Sequence, residues 1–279
     1  MSMKSFAMNA VSTRWTLALA CALSLSACGD DEDESTEASQ GSYALTIYGE
    51  SFIEEGIPAD EFVDGWSVTF DAFVVSLDSA GVASGGGALQ AVAGPAIFDL
   101  ALTSEGGHPL AEIMLPQGTY DRLDYTLAPP ASSTEAGNAT EAQRQLMRDE
   151  GYSVWVSGSA TKGEQSLVFQ WGFDLSRTYT GCEIDTQLGE GGGANELTIH
   201  GDHLFFDDLD ASDPQVAFEL IASADADGDG DITPAELAAV DITAEARYQV
   251  GSADVTDLWG FIEAQVAQVG HIDGEGHCD

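Results

Sequence analysis

Trp66-Ser-Val-Thr-Phe-Asp-Ala-Phe-Val-Val-Ser-Leu77 is the stretch on which the fold class turns. Trp66, Val68 and Phe70 alternate with polar residues on one face, and then Phe73, Val75 and Leu77 take over from them. Alternation with a period of two specifies an extended chain. The change of face within one run predicts either a β-bulge or a strand buried on both sides. Working outward, Tyr43-Ala-Leu-Thr-Ile-Tyr48 alternates in the same way, and Ala96 to Leu102, Thr119 to Leu127, Tyr152 to Ala160, Gln165 to Leu175 and Glu196 to Phe206 are further strand candidates. Thr161-Lys-Gly-Glu164 separates two of these as a hairpin turn. Short strands punctuated by glycine favour a mainly β, sandwich-like antiparallel body over a βαβ fold.

Helices are expected to be few. Thr140-Glu-Ala-Gln143 fits a capping box that opens a short helix ending near Gly151. Val255, Leu258, Ile262, Val266 and Val269 recur at helical spacing before Gly270, which reads as a C-terminal helix packed on the body.

Charge narrows the partners. The 279 residues carry 48 Asp and Glu against eight Lys and Arg, a formal net charge of −40. Such a chain repels nucleic-acid backbones and anionic lipid head groups, so its charge partners are cations. A hydrophobic fraction of 44% with five Trp supplies enough apolar surface for a real core.

Lys4 and Arg14 precede the apolar run Trp15 to Leu25, which is too short to span a bilayer but suits an export signal. The run ends in Leu25-Ser26-Ala27-Cys28, which resembles the bacterial lipoprotein signal. The resemblance implies cleavage before Cys28, a lipid on its thiol and a membrane-anchored, cell-envelope protein. Gly29 after the Cys favours the outer membrane in a two-membrane host. Residues 1–27 are then leader, 28–42 an acidic tether, 43–210 the β body, and 211–279 a C-terminal helical segment. With Cys21 in the leader and Cys28 lipidated, Cys182 and Cys278 remain, and a pair in an exported chain reads as a disulfide.

Asp225-Ala-Asp227-Gly-Asp229-Gly230-Asp231-Ile232-Thr233-Pro234-Ala-Glu236 carries the sharpest chemical signal. Ca²⁺ is a hard cation that wants six to eight oxygens, and alternate acids around a glycine turn can aim carboxylates inward together. The twelve residues resemble the EF-hand loop. That resemblance implies Ca²⁺ as the bound ion, with side-chain ligands from Asp225, Asp227 and Asp229, a backbone carbonyl from Asp231, and both oxygens of Glu236. Asp213-Pro214 would start an entering helix and Pro234 an exiting one. EF-hands usually pair through the position that Ile232 occupies, and no second complete loop is present. Ile232 therefore needs another partner, such as a strand of the β body, and a lone hand reads as a structural clamp.

Four of the five histidines fall in two short motifs, His200-Gly-Asp-His203 and His271-Ile-Asp-Gly-Glu-Gly-His277. Imidazole nitrogen suits Cu and Zn, so these residues, with Asp202 or Asp273, are the alternative reading: an envelope Cu/Zn-binding protein. Residues three apart in a strand point to opposite faces, so His200 and His203 are expected to meet only if Gly201 bulges. A disulfide would remove Cys278 as a ligand. His108 is expected in a surface loop. The sequence carries no nucleophile elbow, His-Glu-x-x-His, phosphate-binding loop or dinucleotide fingerprint, so nothing in it argues for an enzyme.

Overall fold

The computed structural model describes residues 38–279. The leader, the Leu25–Cys28 motif and the tether as far as Glu37 lie outside them. Residues Ala38–Asp279 form one compact unit. It is mainly β, with two sheets packed in a sandwich-like body around one large apolar core and a few short helices.

In chain order the strands are β1 (Gln40–Tyr48), β2 (Ser67–Ala83), β3 (Gln90–Ala93), β4 (Ala96–Asp99), β5 (His108–Pro116), β6 (Gly118–Leu127), β7 (Val154–Lys162), β8 (Gln165–Phe173), β9 (Arg177–Leu188), β10 (Gly193–Ile199), β11 (Asp231–Ile232) and β12 (Gly270–Ile272). The helices are α1 (Glu50–Glu54), α2 (Glu141–Glu150), α3 (Glu219–Ala222), α4 (Pro234–Leu237) and α5 (Leu258–Val266). One sheet has the order β12-β10-β1-β5, the other β11-β8-β7-β2-β6-β9, with β3 and β4 also paired to β2. The ladders are antiparallel except β1 with β10 and β11 with β8, which are parallel.

β2 contains both devices that its sequence suggests. Its register against β7 shifts between Phe70 and Ala72, and against β6 between Leu77 and Ser79. The first shift moves the apolar set from the Val68 face to the Phe73 face. Residues 72 to 77 are nevertheless buried on both sides, because Ala139 and Met147 at α2 cover Ala72 and Val74 from outside. α2 opens on the Thr140–Gln143 capping box and ends on Gly151 in the left-handed region.

Several expectations shift. β1 begins at Gln40, three residues before the alternation at Tyr43, because Gln40 to Ser42 already pair with β5. His108 is the first residue of β5, its ring held by Leu102 O and Asn138, and not a loop residue. The helix expected from Asp213-Pro214 is absent: Val216 bridges Phe62 and Phe206, Asp207 accepts from Gln215 N, and only α3 is helical. Those backbone groups are committed to isolated bridges and to the Asp207 side chain and cannot also close helical turns. The α5 stripe packs inward, with Leu258, Ile262, Val266 and Val269 all buried. Cys182 and Cys278 form a disulfide that ties the C-terminal tail to β9, beside a two-way backbone pairing of Thr180 with Asp279.

Candidate metal centre

The two histidine motifs converge. The expectation that His200 and His203 point apart rests on a strand running through both, and β10 ends at Ile199. Gly201 then leads into a 3-10 turn, Asp202–Phe205, which has three residues per revolution and folds His203 back toward His200. Their ring centroids lie 5.2 Å apart. Gly201 is needed there, because a Cβ would come within 2.6 Å of Ile53 Cγ1. His271 arrives on β12, which pairs Thr198 with His271, while His200 N donates to Val269 O. Its ring is 4.4 Å from His200 and 5.1 Å from His203. His277 is exposed and meets only His271 in this group, at 5.5 Å. The structure thus builds a triangle of three imidazoles with a fourth at its rim.

Carboxylates complete two overlapping sets that share His200. In one, donor atoms of His200, Asp202 and His203 lie within 4.8 Å of one another, and in the other those of His200, His271 and Glu275 do. Asp273, a candidate from its place in the motif, is spent elsewhere: its carboxylate accepts from Asn195 Nδ2 and Glu196 N. Cys278 is in the disulfide and offers no thiolate. Glu50 was not legible from its neighbours in sequence. It adopts a left-handed φ of 53°, rare for a side chain with a Cβ, and its Oε2 lies 3.4 Å from His200 Nδ1.

Burial and neighbouring charge favour the neutral form of His203 and His271. Burial first, and then the charges of His200 and His271, hold His203 down to about 3. Burial, His200 and His277 hold His271 down to about 4. A neutral imidazole has a free lone pair, which is the form that binds a metal. Burial raises Asp202 and Glu50 above the usual carboxylate range, with His200 acting in the opposite sense on both. Within this cluster two buried polar atoms have no partner, His271 Nδ1 and Asp202 Oδ1. Orphaned donors and acceptors of this kind are costly, and a bound cation would satisfy an orphaned lone pair beside it.

The acidic loop forms a second group about which the sequence was informative. Carboxylate oxygens of Asp225, Asp227 and Asp229 lie within 4.8 Å of one another. Gly228 and Gly230 take positive φ, which lets the chain turn tightly, and Asp225 accepts from the amides of both. Glu236 is turned to the loop's end, where its Oε2 accepts from Thr233 N and Thr233 Oγ1 as a capping box. Those bonds hold its carboxyl below the usual range. Ile232 finds its partner in the body: Asp231 and Ile232 form β11, parallel to Val168 and Phe169 of β8, and buried Trp171 donates Nε1–H to Ile232 O at 2.8 Å. The helices on either side, α3 and α4, are one turn each.

No family model matches the chain, and no curated protein matches it. Among solved structures, MbnP from Methylosinus trichosporium is similar over 85% of this chain and 99% of its own, at 10% identity and a TM-score of 0.40. A likeness that loose lends nothing to the reading of either site. Among the described residues, no helix is long and apolar enough to cross a membrane.

Proposed function

We propose that this protein binds a transition-metal ion, Cu or Zn, at the cluster of His200, His203 and His271, with Asp202, Glu275 and His277 as further donors. The observation that carries the reading is the pair of orphaned buried atoms, His271 Nδ1 and Asp202 Oδ1, in a group where burial favours the neutral form of His203 and His271. Nitrogen donors with one or two carboxylates and no thiolate suit Cu²⁺ and Zn²⁺ over Ca²⁺ or Mg²⁺. Glu50 against His200 is the outer carboxylate that orients a ligating imidazole. The export and lipid signals in the leader would put this site in the cell envelope. Isothermal titration of the mature protein with Cu²⁺ and Zn²⁺ tests the reading. One ion bound at micromolar or tighter affinity, lost in His203→Ala and His271→Ala, supports it; no binding by the wild type overturns it.

A second reading concerns the Asp225–Glu236 loop, which we propose holds Ca²⁺ in a structural role. It is favoured by the β11–β8 ladder and the Trp171 bond to Ile232, which supply from the body what a second EF-hand would otherwise provide. A hand clamped to a sheet has no partner helices to open, so it fits a fastener better than a sensor. Thermal melts with Ca²⁺ and with chelator test it, and equal melting of wild type and Asp225→Ala under both conditions would exclude it.

A further inference from the structure

Six of the eight Lys and Arg fall among the described residues, and five of these pair with a carboxylate. Arg122 meets Asp124, Arg144 and Arg148 meet Glu141, Lys162 meets Glu219, and Arg247 meets Asp207. Arg177 alone has no ion pair among the described residues, although acids outnumber bases six to one in the chain. Its guanidinium lies over the Tyr179 ring at 5.4 Å, and its Nε is buried with no hydrogen-bond partner.

Arg177 lines a cavity of about 310 Å³ whose other walls include Tyr179, His203, His271, Glu275 and His277. That is far more than one water requires. Tyr179 is 2% exposed; Gly270 N–H faces its hydroxyl oxygen, but its own O–H donates to no group, unlike that of its stacked neighbour Tyr125, which donates to His271 O. Two acids line the cavity, and both have other uses. Asp208 accepts from Asp210 N and Ala211 N, and Glu275 belongs to the donor set with His200 and His271. The cavity therefore has unspent donors on the β9 wall and imidazoles on the other.

We infer that this cavity binds a small carboxylate or related oxyanion between the Arg177 guanidinium and the Tyr179 hydroxyl, as a co-ligand of the metal at the histidine cluster. The inference rests on the transition-metal reading above. A planar guanidinium matches a carboxylate with two parallel N–H donors, and a buried phenol supplies a third. Imidazoles that carry no charge leave part of a divalent ion's charge uncompensated where only one carboxylate ligates, so an anion on the Arg177 side would be drawn toward both cations. Without the metal, Asp208 and Glu275 would weaken that attraction.

The test titrates sodium acetate into the full mature protein saturated with Cu²⁺, read by visible absorption and electron paramagnetic resonance. Saturable change in the copper spectrum is expected. Arg177→Gln should weaken acetate binding by roughly tenfold or more, the loss of a charge-assisted hydrogen bond. Arg177→Lys should fall between, and Tyr179→Phe should lose several-fold. If Cu²⁺ binds and acetate, formate and bicarbonate all leave the spectrum unchanged, the inference is overturned while the metal reading stands. An acetate affinity equal in wild type and Arg177→Gln overturns it too. If the wild type binds neither Cu²⁺ nor Zn²⁺, the metal reading fails, and acetate titrated into metal-free protein by calorimetry decides the rest: Arg177-dependent binding keeps the anion site, and no binding removes it.

Discussion

Removing the Cys182–Cys278 bridge should cost global stability and loosen the proposed metal centre together. The bridge spans 96 residues of sequence, a long loop to close in the unfolded chain. In the chain-entropy treatment, closure of a loop that size restricts the unfolded ensemble by about 4.7 kcal/mol at 25 °C. For a unit of this size that corresponds to a fall of roughly 10 °C in Tm. The tail so fastened carries His271, Glu275 and His277, so its ordering also sets how often the imidazole triangle is assembled. The assay pairs urea denaturation of wild type and the Cys182→Ala/Cys278→Ala variant with Cu²⁺ titration of both. The variant should show a lower midpoint and weaker Cu²⁺ binding, and saturating Cu²⁺ should recover part of the lost stability, because an ion bound only by the folded form adds to it. The two-way Thr180–Asp279 pairing remains in the variant and offers a competing outcome. If hydrogen exchange finds only residues 270–279 deprotected, with the denaturation midpoint unchanged, then the tail frays locally and the global reasoning is refuted.

Three further outcomes follow from other sites. Glu50→Gln removes the carboxylate beside His200 and should weaken Cu²⁺ or Zn²⁺ binding by roughly 10–100-fold, measured calorimetrically; an unchanged affinity would mean that the strained Glu50 backbone serves packing alone. Wild type in Ca²⁺ at a hundredfold excess over Kd should gain about 2.7 kcal/mol over the chelated form, and Asp225→Ala should gain none in the same denaturation series. Trp171→Phe leaves Ile232 O without its buried donor and should cost about 1–3 kcal/mol in urea denaturation. Because the bond joins loop to sheet whether or not an ion is bound, that loss should appear in chelator as well; a loss seen only in Ca²⁺ would contradict it.

The β character was legible because side-chain alternation is a local property. Trp66 to Leu77 announced a change of face, to be met by a bulge or by burial on both sides, and β2 has both a register shift at Phe70/Ala72 and a covering helix outside Val74. The capping box at Thr140 and the hairpin at Thr161–Glu164 were equally local, and both formed. β5, β9 and β12 were not read from the sequence, although Cys182, Ile184 and Leu188 of β9 do alternate with polar residues. β12 is three residues long and is a strand only because Leu197 to Ile199 lie beside it.

The sequence by itself also determined the acid register of Asp225 to Glu236 and the pairing of Cys182 with Cys278 as the natural use of two remaining thiols. The tertiary structure alone decided the histidine cluster. Spacing argued that His200 and His203 diverge, yet a strand end at Ile199 and a single 3-10 turn reversed that, and an antiparallel partner, β12, distant in sequence, delivered His271 to the same region. Glu50, Arg177 and Tyr179 reach the same region from β1's exit and from β9. Local patterning fixes which residues are extended, but ligand convergence depends on register between strands, and register is set by the packed core rather than by the residues that meet.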